Sequence, residues 1–149
     1  MNLAVAGAVL LTLTVGGVVL VRQRYVVVTV VGVSMLPTLA DGDRVLVRRS
    51  ALARVRTGDL VVSRPPAGGR WDAVTLPAWL IKRAVAVPGD PVPAHVVLAV
   101  PEGPGARVPP GWVVLLGDNP AESLDSRFCG YFRAHQIVGV VVRRLAHGD

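Results

Sequence analysis

The most informative run of this sequence reads Trp79-Leu80-Ile81-Lys82-Arg83-Ala84-Val85-Ala86-Val87, an apolar segment interrupted by two cations. We interpret this run as a β-strand. Alternate residues of a strand share one face, so the neighbours of Lys82 on its own face are the apolar residues Leu80, Ala84 and Ala86. Lys82 is the only lysine among sixteen Lys and Arg residues. We therefore expect the only deprotonatable amine among these side chains to be desolvated.

A desolvated lysine can act as a base, whereas arginine stays protonated under ordinary conditions. Its pKa must fall from about 10.4 to about 7 to 8 for this role, a differential desolvation of roughly 4 kcal/mol. The alternative interpretation is that Lys82 is an ordinary solvated charge on a sheet edge.

A serine in a second run supplies a possible nucleophile. The segment Tyr25–Val33 is rich in β-branched residues and predicts a strand, and Pro37 should end that strand at or just after Ser34. A serine hydroxyl is a weak nucleophile without an adjacent base, and a neutral lysine amine can be that base. Taken alone, Ser34 is equally an ordinary residue at a strand end.

Three segments resemble signature blocks of the type I signal peptidase family, in the order that this family shows. They are Gly32-Val33-Ser34-Met35-Leu36-Pro37-Thr38-Leu39, Lys82-Arg83-Ala84-Val85-Ala86-Val87-Pro88-Gly89-Asp90 and Gly117-Asp118-Asn119-Pro120-Ala121-Glu122-Ser123-Leu124-Asp125-Ser126-Arg127. A weaker fourth block is Arg56-Thr57-Gly58-Asp59-Leu60-Val61-Val62.

The resemblance implies a role for each matching residue. Ser34 is the expected nucleophile and Lys82 the general base, with Ser123 bonded to the lysine and Asp125 paired with Arg127. The oxyanion is expected to rest on backbone N–H groups, including that of Ser34. The remaining substrate and oxyanion positions are Gly32, Val33, Leu80 and Ile81.

Two positions depart from the family pattern. Ala86 stands where glycine is usual, and Pro120 stands where bacterial members often have arginine. Neither position belongs to the catalytic pair, so the departures concern loop geometry and substrate preference.

The rest of the chain predicts a mostly β fold, a signal-peptidase-like antiparallel sheet. Gly-Asp pairs punctuate the apolar runs as turns would, and no amphipathic helix is evident after residue 24. Two segments rich in proline and glycine, Pro65–Pro77 and Pro101–Gly111, predict loops. The predicted strands are Tyr25–Val33, Arg44–Arg48, Leu60–Ser63, Trp79–Val87, Val96–Val100, Trp112–Leu116 and Ile137–Arg143.

Residues 3 to 21 form an uncharged run that is about 29 Å long as a helix, close to the thickness of a bilayer core. The run lacks the basic start and the cleavage site of a secretory leader, so we expect a single membrane anchor. This divides the chain into an anchor with its basic flank, residues 1–24, and a catalytic domain, residues 25–149. Arg22 and Arg24 favour a cytoplasmic domain, whereas the resemblance implies an extracytoplasmic domain at the plasma membrane.

The net charge of +6 raises the question of nucleic-acid binding. Only seven aromatic residues are present and no binding motif is recognisable, so attraction to membrane lipids is the simpler explanation for the arginines between residues 44 and 56. Cys129 is the single cysteine, and no Cys, His, Asp and Glu cluster has the spacing of metal ligands. We expect neither a metal nor another cofactor.

Three functions fit these observations. The first is a membrane-anchored Ser-Lys endopeptidase that removes signal or leader peptides from secretory precursors bound as extended strands. The second is a maturation protease for one dedicated precursor. The third is a non-catalytic envelope protein of the same fold, or a self-cleaving regulator, although a regulator would need a DNA-binding helix pair at the N-terminus.

Overall fold

A computed structural model describes residues 3–66, 77–96, 99–101, 103 and 105–145. It contains an N-terminal helix, seven strands and one short helix near the C-terminus, joined by turns and brief 3-10 segments. The helices are α1 (Leu3–Arg24) and α2 (Ser126–Cys129). The strands are β1 (Tyr25–Thr29), β2 (Arg44–Arg49), β3 (Leu60–Ser63), β4 (Leu80–Ala86), β5 (Trp112–Leu116), β6 (Phe132–Arg133) and β7 (Ile137–Arg144).

The seven strands form one sheet in the order β1-β2-β7-β3-β4-β5-β6, and every neighbouring pair is antiparallel. The predicted mostly β, antiparallel architecture is therefore confirmed. Valine and leucine dominate the strands, which suits side chains that pack on a pleated and partly buried surface. Strand β4 lies inside the sheet, between β3 and β5, where it is buried along most of its length.

The side chains of β4 are shared among three hydrophobic clusters, and Ala86 belongs to the third. Leu80 and Ala84 pack into a cluster with Val61 and Phe132, whereas Ile81 packs into a second cluster. Lys82 lies between Leu80 and Ala84 in the alternation, and only 3% of it is exposed. The predicted desolvation of the lysine is confirmed by this burial.

A third cluster lies beneath the segment between β4 and β5, and it explains one wrong prediction. Val96 and Val100 are buried in this cluster, but neither belongs to a strand. Residues 97 and 98, at the centre of the predicted strand, lie outside the described residues. Apolar β-branched residues can fill a core from turns as well as from strands, and composition alone does not separate the two cases.

Two further predictions about local structure were incomplete. The first strand ends at Thr29 and not near Ser34, because the chain turns at Gly32, whose φ is +86°. The four-residue α2 was not expected. It is capped by the Asp125 side chain, which accepts a hydrogen bond from the Arg127 backbone N–H. Most of the predicted loop Pro65–Pro77 lies outside the described residues, and no strand occurs in the described part of Pro101–Gly111.

Helix α1 precedes the sheet and ends at Arg24, where β1 begins. Its described leucine and valine side chains are exposed, from 47% at Val19 to 67% at Leu13. Across the ranges that the structure describes, no helix meets the combined length and hydropathy expected of a membrane span. The span expected over residues 3 to 21 stays a prediction.

Candidate active site

Ser34 lies in a turn that follows the first strand. Val30 still bonds across to the Gly42-Asp43 turn, but Gly32 then redirects the chain, and its N–H donates to the Asp41 carboxylate at 2.6 Å. This left-handed turn is the reason that Ser34 is not on the strand itself. A glycine adopts this conformation without the steric cost that a side chain would add.

The turn is held from the opposite side by Asn119. The Asn119 backbone N–H donates to the Ser34 carbonyl at 3.0 Å, and its side-chain amide donates to the Val33 carbonyl at 3.1 Å. The N–H of Ser34 itself has no acceptor among the residues that the structure covers. This N–H is therefore free to bind an oxyanion that forms at Ser34.

Lys82 is buried on β4 and donates a hydrogen bond from Nζ to Ser123 Oγ at 3.0 Å. In the described part of the chain no carboxylate lies within ion-pairing distance of its amine. Burial lowers the pKa of Lys82 from its ordinary value, and the positive charge of Arg127 lowers it further, against the opposing effect of Asp125. The amine thus has the environment of a neutral base.

Asp125 is fully buried and accepts hydrogen bonds from several directions. Its Oδ2 accepts from Ser123 Oγ at 2.6 Å and from the Gly117 N–H at 2.8 Å, and Arg127 grips both carboxylate oxygens, with Nε 2.9 Å from Oδ1. Burial alone would raise the pKa of Asp125, but the hydrogen bonds from Arg127, Ser123 and the backbone lower it overall. The carboxylate therefore stays ionised.

These contacts fix the direction of the hydrogen bonds that lead to Lys82. An ionised carboxylate only accepts, so the Ser123 hydroxyl must donate its hydrogen to Asp125. The Ser123 oxygen is then left to accept from Lys82. A neutral lysine amine that donates one hydrogen bond to Ser123 retains its lone pair, and that lone pair can accept a proton from another group.

Ser34 and Lys82 line the same surface cleft, which encloses about 440 Å³. Among the other predicted site residues, Gly32, Val33, Leu80 and Ser123 also line this cleft, whereas Ile81 lines a smaller adjoining cavity of about 30 Å³ that Ser34 and Lys82 also border. Asp125 and Arg127 lie behind the cleft and reach it through Ser123. The remaining cleft residues are Val31, Pro77, Pro120, Ala121, Glu122, Leu124 and Phe128.

One edge of β4 is unpaired beside this cleft. Leu80, Ile81 and Lys82 pair with β3 on one side, but the pairing with β5 on the other side begins only at Arg83. Within the described ranges no strand covers the second side of Leu80–Lys82. An extended peptide can pair with such an edge through backbone hydrogen bonds.

Sequence reasoning missed a polar clamp that ties the three resembling blocks together. Arg83 pairs with Asp118, with Nη2 2.6 Å from Oδ2, and the Thr38 hydroxyl donates to the same Asp118 oxygen at 2.5 Å. Arg83 holds the pKa of Asp118 below its ordinary value, so the carboxylate stays charged. All three residues are within the quoted blocks, but their partnership needs the folded chain, because they are distant in sequence.

The sequence also gave no indication of the apolar cleft residues Leu124 and Phe128. In the structure their side chains are 41% and 54% exposed. Large exposed apolar side chains beside a cleft are typical of a peptide-binding surface. No periodic pattern marks them in the sequence, since they occupy an irregular loop and the short helix α2.

The family model described as "Signal peptidase, peptidase S26" matches residues 3–100 and 95–146. The chain is 32% identical over 130 residues to a probable signal peptidase I-1 of Synechocystis sp., an alignment covering 75% of this chain and 66% of that protein. Its identity to a signal peptidase I of Leptolyngbya laminosa is 31% over 131 residues, covering 75% and 64%.

A signal peptidase I of Bacillus caldolyticus is 28% identical over 142 residues, covering 74% of this chain and 73% of that protein. The chain spans slightly less than two thirds of the length of the Synechocystis and Leptolyngbya relatives. Because the family model covers nearly the whole sequence, including every residue that lines the cleft of Ser34 and Lys82, this chain belongs to the signal peptidase family, peptidase S26.

Proposed function

We propose that this protein is a serine endopeptidase that removes signal or leader peptides from secreted precursors, with Ser34 as nucleophile and Lys82 as general base. The observation that carries the proposal is the environment of Lys82. The amine is buried, is without an ion-pair partner among the described residues, and shares a cleft with Ser34. A lysine with no catalytic use would be expected to keep its charge in water.

In the proposed reaction, the neutral Lys82 amine removes the proton from the Ser34 hydroxyl as Oγ attacks the scissile carbonyl. The oxyanion of the tetrahedral intermediate accepts from the Ser34 N–H, a donor that no described residue occupies. The Lys82 ammonium then protonates the leaving amine, which gives an acyl-enzyme. The same lysine deprotonates the water that hydrolyses this ester and regenerates Ser34.

We propose that the substrate binds as an extended strand between Val31–Val33 and the unpaired edge of Leu80–Lys82. Both segments line the cleft, and Val31 and Val33 are 67% and 40% exposed. Backbone pairing would place alternate side chains of the peptide in the cleft. Small residues such as alanine are expected at the P1 and P3 positions, on the strength of the family membership.

We further propose that α1 holds the domain at a membrane, with the catalytic domain outside the cytoplasm. The support is the run of exposed leucine and valine side chains along α1, none of which belongs to a hydrophobic cluster of the sheet. Burying such side chains in lipid is favourable by roughly 25 cal/mol per Å².

The test is cleavage of a secretory precursor with an Ala-x-Ala site by the purified protein in detergent, with sequencing of the new ends. Ser34→Ala and Lys82→Arg should each abolish cleavage while circular dichroism shows a folded protein. Arginine keeps the positive charge but cannot act as a base, so this variant separates charge from basicity. Turnover near the unmodified rate in Lys82→Arg would refute the dyad.

A further inference from the structure

A second pocket, separate from the cleft of Ser34 and Lys82, is built from arginines. It encloses about 420 Å³ and is lined by Arg48, Arg54, Arg56, Ala53, Asp59 and Val140. No residue of this pocket lines the cleft that contains Ser34 and Lys82. Arg48 projects from β2, whereas Arg54 and Arg56 flank the end of the 3-10 turn Leu52–Arg54, so two separate segments bring the guanidinium groups to one place.

The three arginines leave the pocket with an unbalanced positive charge. Each is exposed, and none has an ion-pair partner in the portion of the chain that the structure describes. The one acidic lining residue, Asp59, uses its carboxylate to accept from the Arg56 backbone N–H at 2.8 Å. Three cations against one carboxylate attract an anion, and guanidinium groups match the oxygens of a phosphate in particular.

The position of the pocket in the fold indicates where that phosphate comes from. Arg48 pairs in register with Tyr25, the first residue after α1, so one side of the pocket lies a single strand spacing from the end of the helix. The last turn of α1 carries Arg22 and Arg24, and the helix before that turn exposes leucine and valine. An apolar helix that ends in basic residues suits a bilayer, where head-group phosphates lie just beyond the hydrocarbon.

The pocket is also aligned with the catalytic lysine. A row of paired residues crosses the sheet from Arg48 through Val140 and Val61 to Lys82. Cross-strand partners share a face, and three strand spacings amount to about 14 Å. A head group bound at the arginines would therefore hold this face of the sheet, and with it Lys82, at a short and fixed distance from the lipid surface.

We propose that Arg48, Arg54 and Arg56 form a binding site for the phosphate of an anionic phospholipid head group. This inference rests on the proposed membrane location of α1 and does not depend on peptidase activity. The bound lipid would orient the domain on the bilayer, which α1 alone, as a single helix, does not do.

The site can be tested on the full chain in zwitterionic detergent. The protein is titrated with dihexanoyl-phosphatidylglycerol while its thermal unfolding midpoint is followed, since a ligand that binds the folded state raises that midpoint. Parallel titrations use dihexanoyl-phosphatidylcholine, inorganic phosphate and a short single-stranded DNA. The site variant is Arg48→Gln/Arg54→Gln/Arg56→Gln, and its control is Arg44→Gln/Arg64→Gln/Arg143→Gln, which removes the same charge from exposed positions outside the pocket.

We expect phosphatidylglycerol to raise the midpoint and phosphatidylcholine to have little effect, with an apparent affinity at least tenfold weaker in the site variant than in the control variant. Equal weakening in both variants would reduce the effect to net charge and overturn the proposal. Inorganic phosphate that binds as tightly as the lipid would make this a free-phosphate site, and DNA that binds more tightly would make it a nucleic-acid site. Either result also overturns it. A peptidase that fails to cleave would leave this measurement unaffected, so the two proposals fail separately.

Discussion

At the scale of single residues, the cleft of Ser34 and Lys82 contains an amine that is shielded from water. Lys82 is 3% exposed, and among the described residues its one side-chain hydrogen bond is to the Ser123 hydroxyl. A lysine in this position lowers the stability of the fold, because its charged form loses hydration without a direct counter-ion. The Asp125 carboxylate orients the Ser123 hydroxyl, and the positive charge of Arg127 balances the negative charge of this carboxylate. The burial that lowers the pKa of the Lys82 amine therefore also lowers the stability of the fold.

The first prediction follows from the lowered pKa of Lys82. Lys82→Met should stabilise the protein at pH 7 by roughly 1–3 kcal/mol, because methionine fills the site without an amine to desolvate. The folded lysine releases its proton at a lower pH than the unfolded lysine, so unmodified protein gains stability as the pH rises from the lowered value toward 10.5. Urea unfolding at several pH values should therefore show that the difference in unfolding free energy between Lys82→Met and the unmodified protein decreases with increasing pH.

If the two proteins have the same unfolding free energy at pH 7, or if their difference increases with increasing pH, the desolvation of Lys82 is contradicted. The matched control is Arg143→Met, at an exposed position on β7, where the change in stability should be small and independent of pH over the same range.

The second prediction concerns the buried carboxylate. Asp125→Asn should destabilise the protein by about 3–5 kcal/mol, because Arg127 loses its partner and remains mostly buried. The Asp125 charge opposes the lowering of the pKa of Lys82, so any residual activity should extend to lower pH than in the unmodified enzyme. Denaturant unfolding and the pH dependence of peptide cleavage measure the two effects.

A double variant separates the ion pair from other causes. Asp125→Asn/Arg127→Gln should be about as stable as Asp125→Asn alone, since both changes remove the same interaction. Simple addition of the two single effects would show that the pair does not act as a unit.

At the scale of elements, the sequence predicted the strands better than the segments that join them. The bounds of Leu60–Ser63 and Trp112–Leu116 were predicted correctly because β-branched and apolar residues stop at glycine or polar residues on either side. The two-residue β6 was not predicted, since its pairing with β5 is set by tertiary contacts and not by local pattern. The Ser34 turn was predicted as a strand because Val30, Val31 and Val33 continue the apolar run past Gly32.

In the cleft, individual residues could be predicted from the sequence, but the contacts between distant segments could not. The family blocks led to Ser34, Lys82, Ser123, Asp125 and Arg127, whose side chains the structure places in the cleft or directly behind it. The clamp of Thr38, Asp118 and Arg83 escaped prediction. Its members come from the serine turn, the end of β5 and β4, and nothing in a linear sequence states that these segments meet.

The third prediction uses a glycine at the meeting point of these elements. A Cβ on Gly117 would lie 2.2 Å from Ser123 Oγ and 2.6 Å from the Ser34 carbonyl oxygen. Gly117→Ala should therefore displace both the serine turn and the partner of Lys82, and kcat should fall at least a hundredfold. A Cβ on Gly139 would meet the Arg48 carbonyl at the same 2.2 Å, and neither residue lines the cleft, so Gly139→Ala is the matched control.

Both variants should unfold at lower urea concentration, because overpacking of this kind costs about 1–3 kcal/mol. Only Gly117→Ala should lose turnover per folded molecule. Equal turnover in the two folded variants would show that the close contact at Gly117 has no part in positioning the cleft.

At the scale of the whole molecule, the sheet and helix α1 are separate in their packing. The three hydrophobic clusters draw their members from residues 26 to 141, and no described side chain of α1 belongs to any of them. The hydrophobic core of the sheet is therefore built without the described side chains of α1. Under the proposed function, this division would let α1 meet lipid while the sheet binds a peptide.

The fourth prediction is that removal of residues 1–24 leaves the sheet folded but strongly weakens its attachment to membranes. The unfolding midpoint should shift by less than about 4 °C, because less than about 1 kcal/mol of packing is lost. Cleavage of a soluble Ala-x-Ala peptide should stay within twofold of the full chain. Processing of a precursor embedded in phospholipid vesicles should fall at least tenfold, since an enzyme on the same surface meets its substrate at a higher effective concentration. Flotation with vesicles checks the attachment directly.

If the truncated chain loses peptide cleavage and thermal stability together, α1 is part of the folded core. If the truncated chain processes the embedded precursor at the full rate, α1 does not recruit the protein to the membrane.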